Sequence, residues 1–267
     1  MYNPYNSRNC LISEEDIKTI LGKHKCSFNI RNLKLFQMAM VHTSYVKRSE
    51  YTSPTGEIIQ LVDKPSGCLE LFDDSYERLE HLGDSILGAT ISTYLVKRYP
   101  QEQEGFLTDL KKEIVCNEML GSLSMKIGLN KFYIISRHNE DACNGRTNIK
   151  KLGDILEAFI GALWIDSGND FKVISSFIIN LVETYIDIPK ILMNNRNFKE
   201  QLQKYCQATF HYTPTYKMLS SGLNSYTMAA INAKSEEIGH GTSQTKKQAE
   251  QLAAQDALLR FRNSTNK

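Results

Sequence analysis

The sequence predicts a mainly α-helical protein that ends in a small α+β unit of order α-β-β-β-α. Three observations carry this expectation. Between Ser13 and Tyr185 apolar residues recur at three- and four-residue spacing, the period of helices with one buried face. From Asn197 the pattern changes to a short amphipathic helix, three alternating segments and a closing helix. The charge changes at the same place: from Arg196 onward ten Lys and Arg face five Asp and Glu, whereas 22 basic and 25 acidic residues precede it. A basic tail is a common footprint of polyanion binding, although a merely soluble basic domain shares it.

At 267 residues the chain is long enough for one large domain or two ordinary ones. Six scattered cysteines without a CxxC pair argue against both a zinc site and a disulfide framework. They read as reduced thiols. The N-terminus MYNPYNSRNC lacks a basic region followed by an apolar one, and no uncharged apolar run approaches bilayer length. The expected setting is cytoplasmic or another reducing intracellular compartment, neither secreted nor in a membrane.

Residues from about Ser13 to Lys47 are expected to be helical, opening on the acidic turn Glu14, Glu15 and Asp16. His42, at the end of the run LKLFQMAMVHTSYV, reads as a hydrogen-bonded structural residue. Pro54, Gly56, Pro65 and Gly67 punctuate residues 48–75, which read as an insertion or long loop carrying a short hairpin. The next helix starts at ERLEHLGDSIL and runs to Tyr99, where Pro100 stops it. On it Glu77, Glu80, His81 and Asp84 share a face. Two readings stay open at this point: a solvated acidic face, or carboxylates compensated by cations or metal ions. Gly83 and Gly88 lower helix propensity by up to about 1 kcal/mol each, so close packing against a neighbouring helix or chain is expected there.

Phe106 to Ile127 reads as one helix ended by Gly128, and Ser136 to Asn148 as a loop. In KKLGDILEAFIGALWIDSG, Asp154 and Glu157 share a face of an otherwise apolar helix. This pair is partly buried, and is satisfied either by Arg and Lys or by metal. A last helix spans Phe171 to Tyr185. The domain division expected is 1–188, with the insertion at about 48–75, then a linker at 189–196 around Pro189 and an asparagine cluster, then 197–267. In that last unit GTSQTKKQAEQLAAQDALLRF is the closing helix, with Ala249, Leu252, Ala253, Ala257 and Leu258 as its buried stripe. Lys246 and Lys247 stand in its first turn beside free backbone N–H groups, a phosphate-binding corner.

These residues resemble the ribonuclease III family. ERLEHLGDSIL is similar to its signature, GDILEAFIGALWIDSG to its second catalytic helix, and AMVHTSY, EGFLTDLKKEIV and CNEML to further family segments. FKEQLQKY and TKKQAEQLAAQDAL resemble a double-stranded RNA-binding domain. The resemblance implies an all-helical catalytic domain followed by that α-β-β-β-α domain, and an endoribonuclease that hydrolyses duplex RNA. It implies 5′-phosphate and 3′-hydroxyl ends with short 3′ overhangs, and a homodimer through the signature helix. Glu80, Asp84, Asp154 and Glu157 become the catalytic, metal-binding cluster, with Mg²⁺ expected and Mn²⁺ as substitute. Glu77, Glu104 and Lys151 become supporting residues. In the tail, Lys199, Glu200, Gln203, Lys246 and Lys247 become the surface that reads duplex shape across the minor grooves.

The chain departs from the family pattern in places. Tyr76 and His81 replace the commoner Asn and Phe, and Asp109 stands where a basic residue is frequent. SGLNSY replaces a Gly-Pro-x-His loop, with Leu223 at the proline position, and Ser243 replaces a glycine, which lowers the expected affinity of the tail. The rival reading is a non-catalytic protein that binds and sequesters duplex RNA. A carboxylate-bridged di-iron protein would need Glu-x-x-His pairs on two helices, and the sequence reads as holding no such pair.

Overall fold

The structure is a computed structural model that describes residues 1–52, 56–194, 198–223 and 225–265. The chain divides into two compact units, Met1–Asp187 and Ile188–Lys267.

The first unit is helical and is built around α7 (Ile149–Asp166), whose residues from Leu152 to Leu163 are buried on nearly every side. A helix that is apolar all round must be enclosed. α3 (Glu77–Arg98), α5 (Asn117–Lys126), α2 (Leu33–Met38) and α8 (Phe171–Tyr185) pack against it. α3 and α7 cross backbone to backbone. A Cβ on Gly83 would lie 1.8 Å from the Glu157 carbonyl oxygen, and one on Gly161 would lie 2.2 Å from that of Leu79. Gly83 therefore serves packing within the chain. A Cβ on Gly88 would meet only the end of the Lys111 side chain, at 3.3 Å, so close helix packing does not explain that glycine.

Several expected elements are shorter or broken. The run from Ser13 to Lys47 resolves into α1 (Glu14–Lys23), α2 and a 3₁₀ turn at Thr43–Tyr45. A capping box between Ser13 and Asp16 starts α1, and Lys25 at φ 53° ends its run, a left-handed backbone that no helix can continue through. Asp166, at the far end of α7, accepts from the N–H groups of Arg31 and Asn32 at 2.9 and 2.7 Å and so fixes the chain ahead of α2. The single helix expected over Phe106–Ile127 is two, α4 (Glu104–Ile114) and α5, broken at Val115 and Cys116. Gly128 takes φ 81° and closes α5 as expected. The polar stretch expected as loop carries α6 (Arg137–Ala142) and a 3₁₀ turn at Gly145–Thr147, because Ser136 caps the first of them.

Residues 48–75 are bound into the fold by a small satellite core. Tyr5, Val41, Tyr45, Leu71 and Ile134 are buried there, with Val46, Leu61, Val62 and Phe72 against them. Single bridges join Tyr2 to Leu61 and Val46 to Phe72, and an antiparallel bridge joins Thr52 to Ile58 about the expected hairpin. The tip of that hairpin, with Pro54, lies outside the described residues. Val41, ahead of the 3₁₀ turn, is bridged to Ile134, and its carbonyl accepts from the Tyr76 N–H at 2.9 Å just before α3.

The second unit begins with α9 (Ile188–Asn194), so most of the expected linker is helical; residues 195–197 lie outside the described residues. Then follow α10 (Phe198–Phe210), β1 (Thr215–Gly222), β2 (Ser225–Ile231), β3 (Glu237–Ser243) and α11 (Lys246–Thr265). The sheet is antiparallel in the order β1-β2-β3. Leu202, Cys206, Met228, Ala230, Ala249, Ala253, Ala254 and Ala257 form its core. Alanines on α11 meet glycines on β3: a Cβ on Gly239 would lie 2.4 Å from the Ala257 nitrogen, which brings the helix flush to the sheet. Leu252, expected in the buried stripe, is 39 % exposed, and Ala254 is buried in its place. The smaller residue fits the short helix-to-sheet distance.

Candidate metal centre and nucleic-acid interface

The glycine crossing of α3 and α7 brings carboxylates from two helices to one place. One oxygen each of Glu80, Asp154 and Glu157 lies within 4.8 Å of the others. Asp154 is buried, and Glu80 and Glu157 are half-buried. Burial pushes the Glu157 carboxyl up to about 8, reinforced by the charges of Asp84, Glu80 and Asp154 in that order. Burial also raises Glu80, with the Asp154 charge adding to it and Lys151 opposing it. Lys151 Nζ pairs with Asp154 Oδ2 at 3.0 Å, so it is engaged with a carboxylate rather than merely solvated. One ammonium does not balance this much negative charge, and hard carboxylate oxygens are the donors that Mg²⁺ and Mn²⁺ prefer. The donor set therefore fits a divalent cation.

Asp84 is exposed and stands outside the group of three, although its charge acts on both Glu80 and Glu157. Glu77 is exposed and takes a weak 3.5 Å bond from Ser75 Oγ. Glu104 opens α4 and accepts from Thr108 Oγ1 at 2.7 Å. Neither belongs to the group of three.

An aromatic wall backs the carboxylates. The Tyr76 hydroxyl donates to Asp154 Oδ2 at 3.2 Å. The ring of Tyr76 lies 6.4 Å from that of Tyr133 and 6.0 Å from that of His42. Burial raises both tyrosines well above the ordinary phenol range. Sequence pattern assigns Tyr76 no role; the signal for one is its position four residues before Glu80, on the same helical face. Tyr133 carries no such signal, because only the tertiary fold brings it here.

His42 is the structural residue expected of it. Its Nδ1 accepts from the Ser44 N–H at 3.1 Å, and burial, followed by the Lys151 charge, holds the imidazole down to about 4. An unfolded chain protonates its histidine near 6.5. Between those values the unfolded state binds the extra proton, so stability falls as pH falls. From pH 7 to 5 this contributes a loss of about 1–2 kcal/mol, allowing for solvent screening of the partly exposed ring. His42→Asn keeps an acceptor for Ser44 and should flatten that part of the profile in urea unfolding at the two pH values. Equal losses in both proteins would refute the assignment.

In the second unit, Lys246 and Lys247 are exposed in the first turn of α11, where the Thr245 hydroxyl accepts from the Gln248 N–H at 3.3 Å. Lys199, Glu200, Gln203, Tyr216, Lys247 and Gln251 line one open groove of about 380 Å³, so the α10 residues share a face with Lys247. Lys199 Nζ is held by Glu250 at 2.6 Å and lies 4.6 Å from the centre of the Tyr216 ring, so a phosphate must compete with that pair. Glu200 pairs with Lys204 at 2.8 Å, and Gln203 is exposed. Leu223 projects fully into solvent between β1 and β2; Asn224 beside it lies outside the described residues. The chain does hold one Glu-x-x-His pair, Glu237 and His240, but it lies on β3, not on a helix, and its partners are Asp256 and Arg260.

A partly buried carboxylate cluster on crossed helices is a candidate metal centre, and the small α-β-β-β-α unit that follows it in sequence, with lysines at a helix start, is a candidate nucleic-acid-binding module. The comparisons name the family. The ribonuclease III domain matches residues 77–168, and the double-stranded RNA binding motif matches residues 198–260. Ribonuclease 3 of Bacillus licheniformis is 32% identical over 246 residues, covering 90% of this chain and 88% of that protein. Ribonuclease 3 of Bacillus velezensis is 33% identical over 252 residues, covering 92% and 90%. The fold of the first unit is that of the nuclease domain of ribonuclease III from Campylobacter jejuni, at a TM-score of 0.50 and 22% identity, over 65% of this chain and 95% of that one. The chain belongs to the ribonuclease III family. No helix among the described residues is long and apolar enough to cross a membrane.

Proposed function

We propose that this protein is an endoribonuclease that cleaves double-stranded RNA by hydrolysis of phosphodiester bonds, with Glu80, Asp154 and Glu157 as ligands of Mg²⁺ and Asp84 completing the cluster at its exposed side. The convergence of three carboxylates across the α3–α7 crossing carries this reading. A bound divalent cation stabilises charge on phosphoryl oxygens and lowers the pKa of attacking water. The residues of this chain hold that ion, and Lys151 and Tyr76 fix Asp154. Mn²⁺ is the expected substitute. Glu77 and Glu104 support the surrounding surface.

We further propose a homodimer through α3, each protomer cutting one strand. Ser85, Ala89, Thr93 and Val96 form an exposed stripe of small and apolar residues along its outer face, which favours α3 as an interface. Incubation of long duplex RNA with the protein and Mg²⁺ is expected to give fragments with 5′-phosphates, 3′-hydroxyls and short 3′ overhangs. Intact duplex would instead favour a binding protein that sequesters RNA, and blunt or single-strand products would remove the paired-site geometry.

The second unit is proposed to bind duplex RNA by shape, with Lys246 and Lys247 on backbone phosphates and Lys199, Glu200 and Gln203 beside them. Replacing both Lys246 and Lys247 by Ala should weaken binding and lower the slope of log affinity against log salt by about 2, one for each phosphate no longer neutralised. Both side chains are exposed, so circular dichroism should not change. An unaltered salt slope would place the phosphate-binding lysines elsewhere.

A further inference from the structure

Asp154 Oδ2 takes two donors, the Tyr76 hydroxyl at 3.2 Å and Lys151 Nζ at 3.0 Å, and Oδ1 takes neither of them. The two donors differ in kind. The Lys151 side chain is 47 % exposed at the end of a flexible stem. Tyr76 is 2 % exposed and is pinned at several points. Its N–H is bound to the Val41 carbonyl, and its ring is walled by His42 and Tyr133. The Tyr133 backbone is in turn clamped, its carbonyl accepting from Arg146 Nη1 at 2.5 Å, while Arg146 pairs with Glu140 at 2.7 Å.

We infer that Tyr76 is a positioning residue for the metal site: its buried hydroxyl fixes the rotation of the Asp154 carboxylate so that Oδ1 is presented to the cation. A buried hydroxyl loses more freedom on folding than it would on binding, so its orientation is already set before the ion arrives. A carboxylate held by a partner behind it binds metal more tightly than one free to rotate, by about 10- to 100-fold in comparable sites. The inference rests on reading the carboxylates as a metal site.

Tyr76→Phe removes the hydroxyl and keeps the ring. Calorimetric titration of the full chain with Mg²⁺ should show a dissociation constant raised about 10-fold, with the melting temperature in metal-free buffer lowered only by the few degrees that one lost hydrogen bond accounts for. In cleavage assays kcat should fall at fixed Mg²⁺ and recover as Mg²⁺ is raised, with KM for duplex RNA constant. A general loss of packing would give a cleavage defect that does not recover with metal. Glu157→Gln serves as the reference. If it loses Mg²⁺ binding while Tyr76→Phe titrates like the wild type, the positioning role is overturned and the metal site stands. If Glu157→Gln also titrates like the wild type, the metal site falls, and the role of Tyr76 with it.

Discussion

Glu157→Gln is expected to abolish cleavage of duplex RNA, by about 10³-fold or more, while making the metal-free protein harder to melt. The two effects have one origin. Glu157 is half-buried against Glu80, Asp84 and Asp154, and its carboxyl is pushed up to about 8 by that burial and those charges. An amide of the same shape removes the repulsion and gives up the hard anionic oxygen proposed to bind the metal. A bound divalent cation supplies several kcal/mol of transition-state stabilisation, and 4 kcal/mol corresponds to about 10³ in rate. Each kcal/mol of relieved repulsion should raise the melting temperature by about 2–4 °C in a domain of this size. Calorimetric melts without divalent metal and single-turnover cleavage with Mg²⁺ read the two effects separately. Retained cleavage would remove Glu157 from the site, and a lowered melting temperature would show that the carboxylate is a structural partner.

Gly83→Ala and Gly88→Ala should have opposite signs although they lie five residues apart on one helix. At Gly83 the added carbon would stand 1.8 Å from a backbone oxygen of α7, so the helices must separate. Overpacking of this kind costs about 3 kcal/mol or more, because backbone atoms cannot move aside as a side chain can. The melting temperature should fall by about 6–12 °C. Metal binding should weaken as well, since Glu80 and Glu157 flank the crossing. At Gly88 the new methyl meets only the end of Lys111, and replacing glycine within a helix stabilises it by up to about 1 kcal/mol. A Gly83→Ala protein that melts with the wild type would mean that the two helices do not meet as closely as described.

The pair of glycines shows where the sequence stops being informative. Both read as weak points in a helix, and low helix propensity gave them the same expectation, close packing against a neighbouring helix or chain. Gly83 meets it through Gly161 on α7 of the same chain, 78 positions away. Nothing local to either residue encodes that pairing. The broken helices have a similar cause. Apolar spacing continues through Lys25 and through Val115 and Cys116, so a period count runs straight across turns that backbone conformation and distant caps such as Asp166 impose.

The sequence by itself determined the helical class, the α-β-β-β-α tail, the start and stop of α3 and α8, and the two helices that carry the carboxylates. These are local properties, set by hydrophobic period, by Pro100 and by the pattern of short alternating strands. It also picked out Glu80, Asp154 and Glu157 with Asp84, but through family pattern, because spacing cannot tell a ligand from a solvated acid. Only the tertiary structure decided that three of the four converge, that Asp84 stands apart, and that Lys151 and Tyr76 share one oxygen of Asp154. Distances between side chains on different helices depend on how closely the backbones pass, and here that closeness is set by two glycines.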